Sequence, residues 1–269
     1  MKIQVLVATM NQKDHSLLEK MHLRSDAIIG NQCDRNSIES FIWQGYSIKY
    51  LNFAEKGVGL NRNNALMRAD ADICLFADDD MVFYDGYCDT VIKAFNKNTD
   101  ADVIIFNIDE DFTTKRRKNK ETIRIGLRNY MNYGAARIVV RRKSILYNGI
   151  SFNICFGGGT DHSCGEDTLF LRECLRKGLN VYAVPLSIAK LVNSRESTWF
   201  KGYTEKYFFD VGIILGLAHP FLCHLIIFVL VFIHKDFRID GHPSIYQTLE
   251  AYERGIQFVK KRKWNDTKR

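Results

Sequence analysis

Short apolar segments alternate with segments of helical pattern over the first 108 residues of this 269-residue chain. The first of them, Ile3–Thr9, is rich in β-branched residues, which is typical of a buried strand. Further strands are predicted at 27–30, 47–52, 73–77 and 103–107, and helices at 15–23, 37–44, 61–69 and 87–96. This alternation predicts an α/β fold with a mostly parallel, doubly wound sheet, which binds ligands at the carboxyl ends of its strands.

Composition narrows the class of protein. Hydrophobic residues make up 46% of the chain and only three residues are proline, which excludes disordered and collagen-like chains. The net charge of +7 suits an anionic partner such as a nucleotide, a phospholipid or a nucleic acid. Seven cysteines without a CxxC pair indicate reduced thiols in the cytosol and no zinc site. The segment Met1–Val7 lacks the pattern of a signal peptide, so we expect the catalytic part inside the cell.

Two segments suggest contacts with a membrane or with another anionic partner. Lys115–Lys143 contains eleven Lys/Arg and one Glu, which indicates either a solvated basic loop or a surface that faces phosphates or lipid. Val211–Ile233 has 23 residues without a formal charge, enough to span a bilayer, but His219, Pro220 and His224 interrupt it. We therefore favour a kinked helical hairpin in the inner leaflet, assisted by the basic residues 260–263, over a buried core hairpin or a true span.

Three consecutive aspartates, Asp78–Asp80, follow the predicted strand at 73–77. Adjacent carboxylates repel one another unless a cation is present. A turn that starts at Asp79 would allow one of them to hold Mg²⁺ or Mn²⁺, together with substrate phosphates, while another contacts a ribose or a metal-bound water. The alternative is an acidic loop that caps the next helix.

Two further motifs carry chemistry. The stretch Gly57–Asn64 supplies flexible backbone and Arg62. Glu166 and Asp167 begin a predicted helix, 166–177, behind a glycine-rich approach, and a strand is predicted at 181–184. A carboxylate there can act as a general base. The alternative is a pair of acids that the helix dipole stabilises.

In this order and spacing the motifs resemble those of the family 2 glycosyltransferases, which have the nucleotide-binding GT-A fold. The resemblance covers about residues 1–200. It rests on Thr9 and Asn11 after the first strand, Gly57–Asn63 with Asn61 in place of the family's Ala, Asp78–Asp80, and Glu166-Asp167.

The resemblance implies roles for individual residues and a divalent cation, Mn²⁺ or Mg²⁺, as cofactor. Asp167 would deprotonate the acceptor hydroxyl in a single displacement with inversion. The implied contacts are nucleotide binding by Thr9, Asn11, Asn31, Asp34, Arg62, Asp78 and Asp79, metal ligation by Asp78 and Asp80, and acceptor binding by Gly158, Glu166 and Trp199.

The chain departs from the family pattern at two places. Gly30–Asp34 replaces the family's Asp-Asp-Gly-Ser-like segment, so Asn31 or Asp34 would pair with uracil or thymine. The late histidine of many members is missing from 191–195, so either Arg195 takes over the diphosphate charge or the metal is held more weakly.

These observations predict a GT-A domain at 1–200, with a nucleotide-binding half at 1–108 and an acceptor-binding half at 109–200, followed by a helical C-terminal region at 201–269. The leading hypothesis is a transfer from a nucleotide-sugar, with UDP favoured, to a saccharide or lipid-linked saccharide in bacterial surface (capsule-type) polysaccharide synthesis at the inner face of the cell membrane. One alternative is a metal-dependent nucleotidyltransferase, although Thr9–Lys13 lacks the glycine of its usual loop. The second alternative is a nucleic-acid-binding protein, but such a protein would have little need of Asp78–Asp80. We therefore expect no nucleic-acid partner.

Overall fold

The structure, a computed structural model, describes residues 1–110, 118–192, 202–233 and 243–262. It divides into two compact units. The first comprises Met1–Cys155 and Glu166–Glu196, and the second comprises Phe156–Gly165 and Ser197–Arg269.

The described part of the first unit contains one ten-stranded sheet with five helices. The strands are β1 Ile3–Met10, β2 Asp26–Gln32, β3 Ser37–Trp43, β4 Tyr46–Phe53, β5 Ile73–Asp78, β6 Met81–Phe83, β7 Val103–Asp109, β8 Ile123–Arg124, β9 Ile138–Arg141 and β10 Val181–Leu191. The helices are α1 Leu17–Lys20, α2 Val58–Arg68, α3 Tyr87–Lys97, α4 Arg142–Tyr147 and α5 Glu166–Arg176. The strand order is β3-β4-β2-β1-β5-β9-β7-β10-β6, and β8 pairs with β10.

Parallel pairing is confined to two parts of this sheet. Strands β4, β2, β1 and β5 are parallel neighbours, as predicted, and so are β7 and β10. The sheet as a whole is mixed, because β9 enters antiparallel between β5 and β7 and β6 returns antiparallel along β10. In the parallel part Ala8 lies opposite Asp78 and Thr9 opposite Asn31, so the carboxyl ends of three strands meet at one edge.

The prediction of a helix at 37–44 is wrong, because these residues form β3, the edge strand of a hairpin with β4. Gln44 and Gly45 link the two strands with φ angles of 49° and 86°, the left-handed pair that a two-residue hairpin turn needs. The spacing of Ile38, Phe41 and Ile42 imitates a helix, but both isoleucines are exposed on the strand. The helix predicted at 15–23 is present only as α1, and the strand predicted at 181–184 extends to Leu191 as β10. The other predicted strands and helices are confirmed with changes of up to three residues at their ends.

The core lies on both sides of the sheet. Successive residues of β1 point to opposite faces, so Val5 and Val7 join one apolar cluster and Leu6 joins the other. In the second cluster the ring of Phe152 stacks on Phe170 of α5, with 4.3 Å between centroids, and meets the edge of Phe76 of β5 at 4.9 Å. These rings fix the first turns of α5 against the end of β5.

Part of the basic segment 115–143 is used inside the fold. The Nε atoms of Arg137, Arg141 and Arg142 each donate to a backbone carbonyl. Lys118 forms an ion pair with Asp109 at 2.7 Å. The segment is therefore not a uniformly free basic surface over its described residues; Lys115–Arg117 lie outside them.

The described part of the second unit consists of the loop 156–165 and the helices α6 Glu205–Ala218, α7 Cys223–Ile233 and α8 Ile245–Arg262. The apolar run 211–233 breaks at His219 and Pro220, where a split was predicted. Helix α6 packs closely on α8, because a side chain at Gly212 would collide with the backbone of Tyr252. Among the helices that the structure describes, none combines the length and the apolarity needed to cross a membrane.

The loop 156–165 is held in the second unit by a buried ion pair. Nδ1 of His162 lies 2.9 Å from Oδ1 of Asp210, which is fully buried in α6, and the backbone N–H of Ser163 donates to the same carboxylate. The predicted domain at 1–200 includes this loop. No local pattern indicates its contact with Asp210, which lies 48 residues after His162.

We predict that Gly30→Ala destabilises the first unit through a single neighbour. A Cβ at Gly30 would lie 2.5 Å from Oδ1 of Asn61, which is buried in α2. Overpacking of this kind costs about 1–3 kcal/mol. Urea unfolding of Gly30→Ala, Asn61→Ala and the double variant measures it: we expect Asn61→Ala to remove most of the penalty. Strictly additive losses would contradict the contact.

Candidate active site

The aspartate segment forms a turn at the carboxyl edge of the parallel strands. The turn that was predicted to start at Asp79 is present and occupies Asp79 and Asp80. Strand β5 ends before it at Asp78, and β6, which was not predicted, begins after it at Met81. Oγ1 of Thr9 donates to Oδ2 of Asp79 at 2.6 Å. Nε2 of Gln12 donates in turn to Oγ1 of Thr9 at 2.8 Å. The end of β1 and the aspartate turn are therefore joined by side chains.

A buried guanidinium links this turn to the start of α5. Nη2 of Arg62 donates to Oδ1 of Asp78 at 2.7 Å, and Nη1 donates to Oε1 of Glu166 at 2.8 Å. The side chain of Arg62 is 4% exposed and lies 5.5 Å from the ring centroid of Phe152. Burial lowers the pKa of Arg62, but the two carboxylates outweigh it and hold that pKa above its usual range.

Helix α2 is fixed in the position that places Arg62 by contacts of one of its faces with residues 152 and 153. Asn63 exchanges two hydrogen bonds of 2.8 Å with the backbone of Phe152. Gly59 touches the next residue, since a Cβ there would lie 2.6 Å from the carbonyl oxygen of Asn153. The glycine and amide residues of the Gly57–Asn64 motif thus place the guanidinium between its partners.

Asp167 lies beside Glu166 in the first turn of α5 and is half-buried. Burial, together with the neighbouring Glu166 carboxylate, raises the pKa of Asp167 to about 7. Its Oδ1 accepts from the N–H of Thr168, and its Oδ2 faces Gly134, where a Cβ would lie at 3.7 Å. A carboxyl group with this pKa is suited to accepting a proton near neutral pH.

The predicted base contact Asn31 has a fully buried side chain that is bonded within the protein. Its Oδ1 accepts from the N–H of Gln12, and its Nδ2 donates to the carbonyl of Gln12 and to Oδ1 of Asn52. Asn52 continues this network to Glu39 on β3. Sequence reasoning missed Gln12, Asn52 and Glu39, because no local motif marks them.

The other residues predicted to act in the site are distributed as follows. Asn11 is exposed, with a left-handed φ of 55°, and Asp34 is exposed on the loop after β2. Gly158 belongs to the loop of the second unit. Glu166, predicted to bind the acceptor, pairs with Arg62. Trp199 and Arg195 lie outside the described residues.

The aspartate turn fits a cation that is shared with a phosphate ligand. Asp80 is exposed at the turn, and its carbonyl accepts from the N–H of Val192 after β10. Over the described ranges, no three His, Cys, Asp or Glu side chains converge into a cage for a metal. Mg²⁺ and similar ions are commonly held by one or two carboxylates with substrate phosphates, so this donor set suits such an ion.

Comparison with known proteins identifies the family of the chain. The sequence profile of Glycosyl transferase family 2 matches residues 15–163, which is more than half of the chain. The chain therefore belongs to this family and is a glycosyltransferase. No curated protein matches it significantly in sequence.

Solved structures of TarS from S. aureus share its fold. TarS 1-349 aligns with a TM-score of 0.64 and 16% identity, over 97% of this chain and 82% of that one. TarS 1-349 in complex with UDP-GlcNAc aligns with a TM-score of 0.63 and 15% identity, over 95% and 82%. At these identities the similarity establishes the GT-A fold.

We predict that Arg62→Ala destabilises the protein more at pH 8 than at pH 5. Removing one partner from a buried ion pair costs about 3–5 kcal/mol. Arg62 also lowers the pKa of Asp167, so its loss raises that pKa further. A carboxyl group whose pKa rises on folding stabilises the fold at low pH, and this contribution is lost as the pH rises through the folded pKa.

Urea unfolding at the two pH values measures the difference. Arg68→Ala on the same helix is the matched control, because Arg68 bonds to Asn64 and not to a carboxylate of the site. A loss for Arg62→Ala that is independent of pH and equal to that of the control would contradict the proposed charge network.

Proposed function

We propose that this glycosyltransferase transfers a sugar from a UDP-sugar to a saccharide or lipid-linked saccharide, with inversion, in the synthesis of a bacterial surface polysaccharide. The observation that carries the proposal is the Asp78–Arg62–Glu166 contact. It joins the turn suited to a nucleoside diphosphate to the helix that bears a carboxyl group suited to proton transfer. The UDP-GlcNAc and UDP complexes of TarS support the choice of UDP.

The chemical step is a single displacement. A bond forms between the acceptor oxygen and the anomeric carbon while the bond from that carbon to the diphosphate oxygen breaks. The acceptor proton passes to the carboxylate of Asp167. One base is sufficient for this step, and inversion follows because attack and departure occur on opposite faces of the sugar.

On the donor side, Thr9 and Gln12 orient Asp79 for contact with the nucleotide. Asp34 is exposed and is our candidate for the base contact, since Asn31 is bonded within the protein. Arg62 acts as a positioning residue for Asp78 and Glu166. Asp80, with Asp78 beside it, would hold a divalent cation, which when bound supplies charge compensation for the leaving diphosphate.

The domain assignment follows the same scheme. Residues 1–108 contribute the donor side and residues 109–200 contribute Asp167 and the acceptor side. Family membership favours this function over a nucleotidyltransferase or a nucleic-acid-binding protein.

The donor is identified by offering UDP-, GDP- and dTDP-sugars with Mn²⁺ and measuring nucleoside diphosphate release. We expect release from UDP-sugars.

We predict that Asp167→Asn abolishes turnover and leaves UDP affinity nearly unchanged. The amide keeps the shape of the carboxylate but accepts no proton, so we expect kcat to fall at least about a hundredfold. Calorimetry with UDP and a nucleotide-release assay measure the two effects. Glu173→Gln on the same helix is the control, because Glu173 pairs with Arg176 away from the site.

The pH profile of the wild type reports the same group. Because the pKa of Asp167 is about 7, kcat/KM should rise with pH through that region as the carboxylate forms. A loss of UDP affinity in Asp167→Asn as large as the loss of rate would mean that Asp167 binds the donor and is not the base.

We predict that activity requires a divalent cation. We also predict that Asp80→Ala abolishes activity without unfolding the protein. Asp80 is exposed, so its loss should leave the thermal midpoint within about 2 °C of the wild type. Nucleotide release is measured with Mn²⁺, with Mg²⁺ and in excess EDTA, and Asp85→Ala, an exposed neighbour, is the control. Full activity in EDTA would refute the cation requirement.

A further inference from the structure

Helix α7 of the second unit presents apolar side chains to solvent. Its sequence, CHLIIFVLVFI, contains no formally charged residue. The side chains of Leu225 and Phe228 are 62% and 56% exposed, and Phe221 just before the helix is 97% exposed. The rings of Phe228 and Phe232 lie 4.8 Å apart, so they form one continuous apolar surface.

The buried side of α7 is narrow. Cys223, Ile227 and Val231 recur every four residues and are the buried members of the helix. With 100° per residue, the exposed members project from the opposite side. The exposed apolar members are Leu225, Phe228, Val229 and Phe232, and Leu222 is exposed just before the helix. His224 is the exposed polar member and lies 3.1 Å from Glu253 of α8. A helix that is apolar on both sides is normally covered on both.

The dimensions of α7 decide how a membrane would cover it. Eleven residues rise about 16 Å, roughly half of the hydrocarbon thickness of a bilayer. Helix α6, the other half of the apolar run, is packed on α8 through Gly212 and Gly255 and has no comparable exposed face among its described residues. The helix therefore fits an interfacial position, parallel to the surface, with one face among the acyl chains.

The charge near α7 favours an anionic lipid surface over a protein partner. The exposed Lys260 and Lys261 lie in the last turn of α8, and the sequence continues with Arg262 and Lys263. The segment directly after α7 adds no net charge, because Lys235 and Arg238 are balanced by Asp236 and Asp240. A phenylalanine-rich apolar face in the same unit as a basic helix end is typical of proteins that bind anionic membrane interfaces.

We propose that Phe221, Leu222 and α7 form an interfacial anchor that binds an anionic phospholipid bilayer, with Lys260 and Lys261 contributing electrostatic attraction. The sequence predicted membrane contact for the whole run 211–233, whereas the proposed anchor uses only its second half. It places the enzyme at the inner face of the cell membrane, and it is independent of the sugar-transfer chemistry.

Co-sedimentation of the full chain with vesicles tests the proposal. The vesicles are pure phosphatidylcholine or phosphatidylcholine with 30% phosphatidylglycerol, in 0.1 M and 1 M NaCl. We expect Leu225→Ser/Phe228→Ser/Phe232→Ser to weaken partitioning at both salt concentrations, by at least about tenfold, because apolar burial is not screened by salt. Lys260→Ser/Lys261→Ser should weaken it on anionic vesicles at 0.1 M only.

The matched control removes three exposed apolar side chains from the first unit: Ile38→Ser/Ile42→Ser/Met67→Ser should bind as the wild type does. Thermal unfolding by circular dichroism should be unchanged in the α7 variant, since the substituted side chains are exposed. The proposal is overturned if the wild type ignores both vesicle types, if the α7 variant binds as well as the control, or if the face mediates self-association without vesicle binding.

Discussion

The position of Arg62 between Asp78 and Glu166 determines how the catalytic half of the molecule is arranged. Three elements far apart in sequence contribute to it: α2 supplies the guanidinium, the end of β5 supplies one carboxylate, and the start of α5 supplies the other. Arg62 and Glu166 are buried, and burying either charge alone would cost several kcal/mol, so each requires the other; Asp78, which is 41% exposed, adds a second partner for the guanidinium. Arginine suits this place because its planar group donates in two directions at once. The proposed base, next to Glu166, therefore depends on a residue of the donor-binding half.

Much of the first unit follows from periodicity in the sequence, and the main failure has an identifiable cause. Runs such as Ile73–Ala77 are apolar throughout because both faces of a central strand are covered. At β3 the spacing of Ile38, Phe41 and Ile42 indicated a helix. Pairing with β4 decided otherwise, although it leaves two isoleucines in solvent. The Gln44-Gly45 pair, with its two left-handed φ angles, is the local feature that favours the hairpin.

The site was predictable where the chemistry is local and unpredictable where it depends on long-range partners. The aspartate turn is marked by three consecutive carboxylates at the end of an apolar strand, and Asp167 is marked by its place at a helix start. The contact between Arg62 and Glu166 joins residues 104 positions apart, and no spacing rule anticipates it. The same holds for Asn31: its polarity suggested a ligand contact, whereas its full burial requires partners within the protein.

The apolar run 211–233 shows that composition alone does not determine environment. Its two halves are similarly apolar, yet α6 is largely buried and α7 is not. The two helices differ in how closely their backbones can approach a neighbouring helix. Gly212 lets α6 approach α8 until backbone meets backbone, and dispersion contacts then hold the pair. Helix α7 has no glycine and several large side chains, so it cannot approach a neighbour as closely. Only one of its faces is covered within the described chain, and the opposite face is exposed.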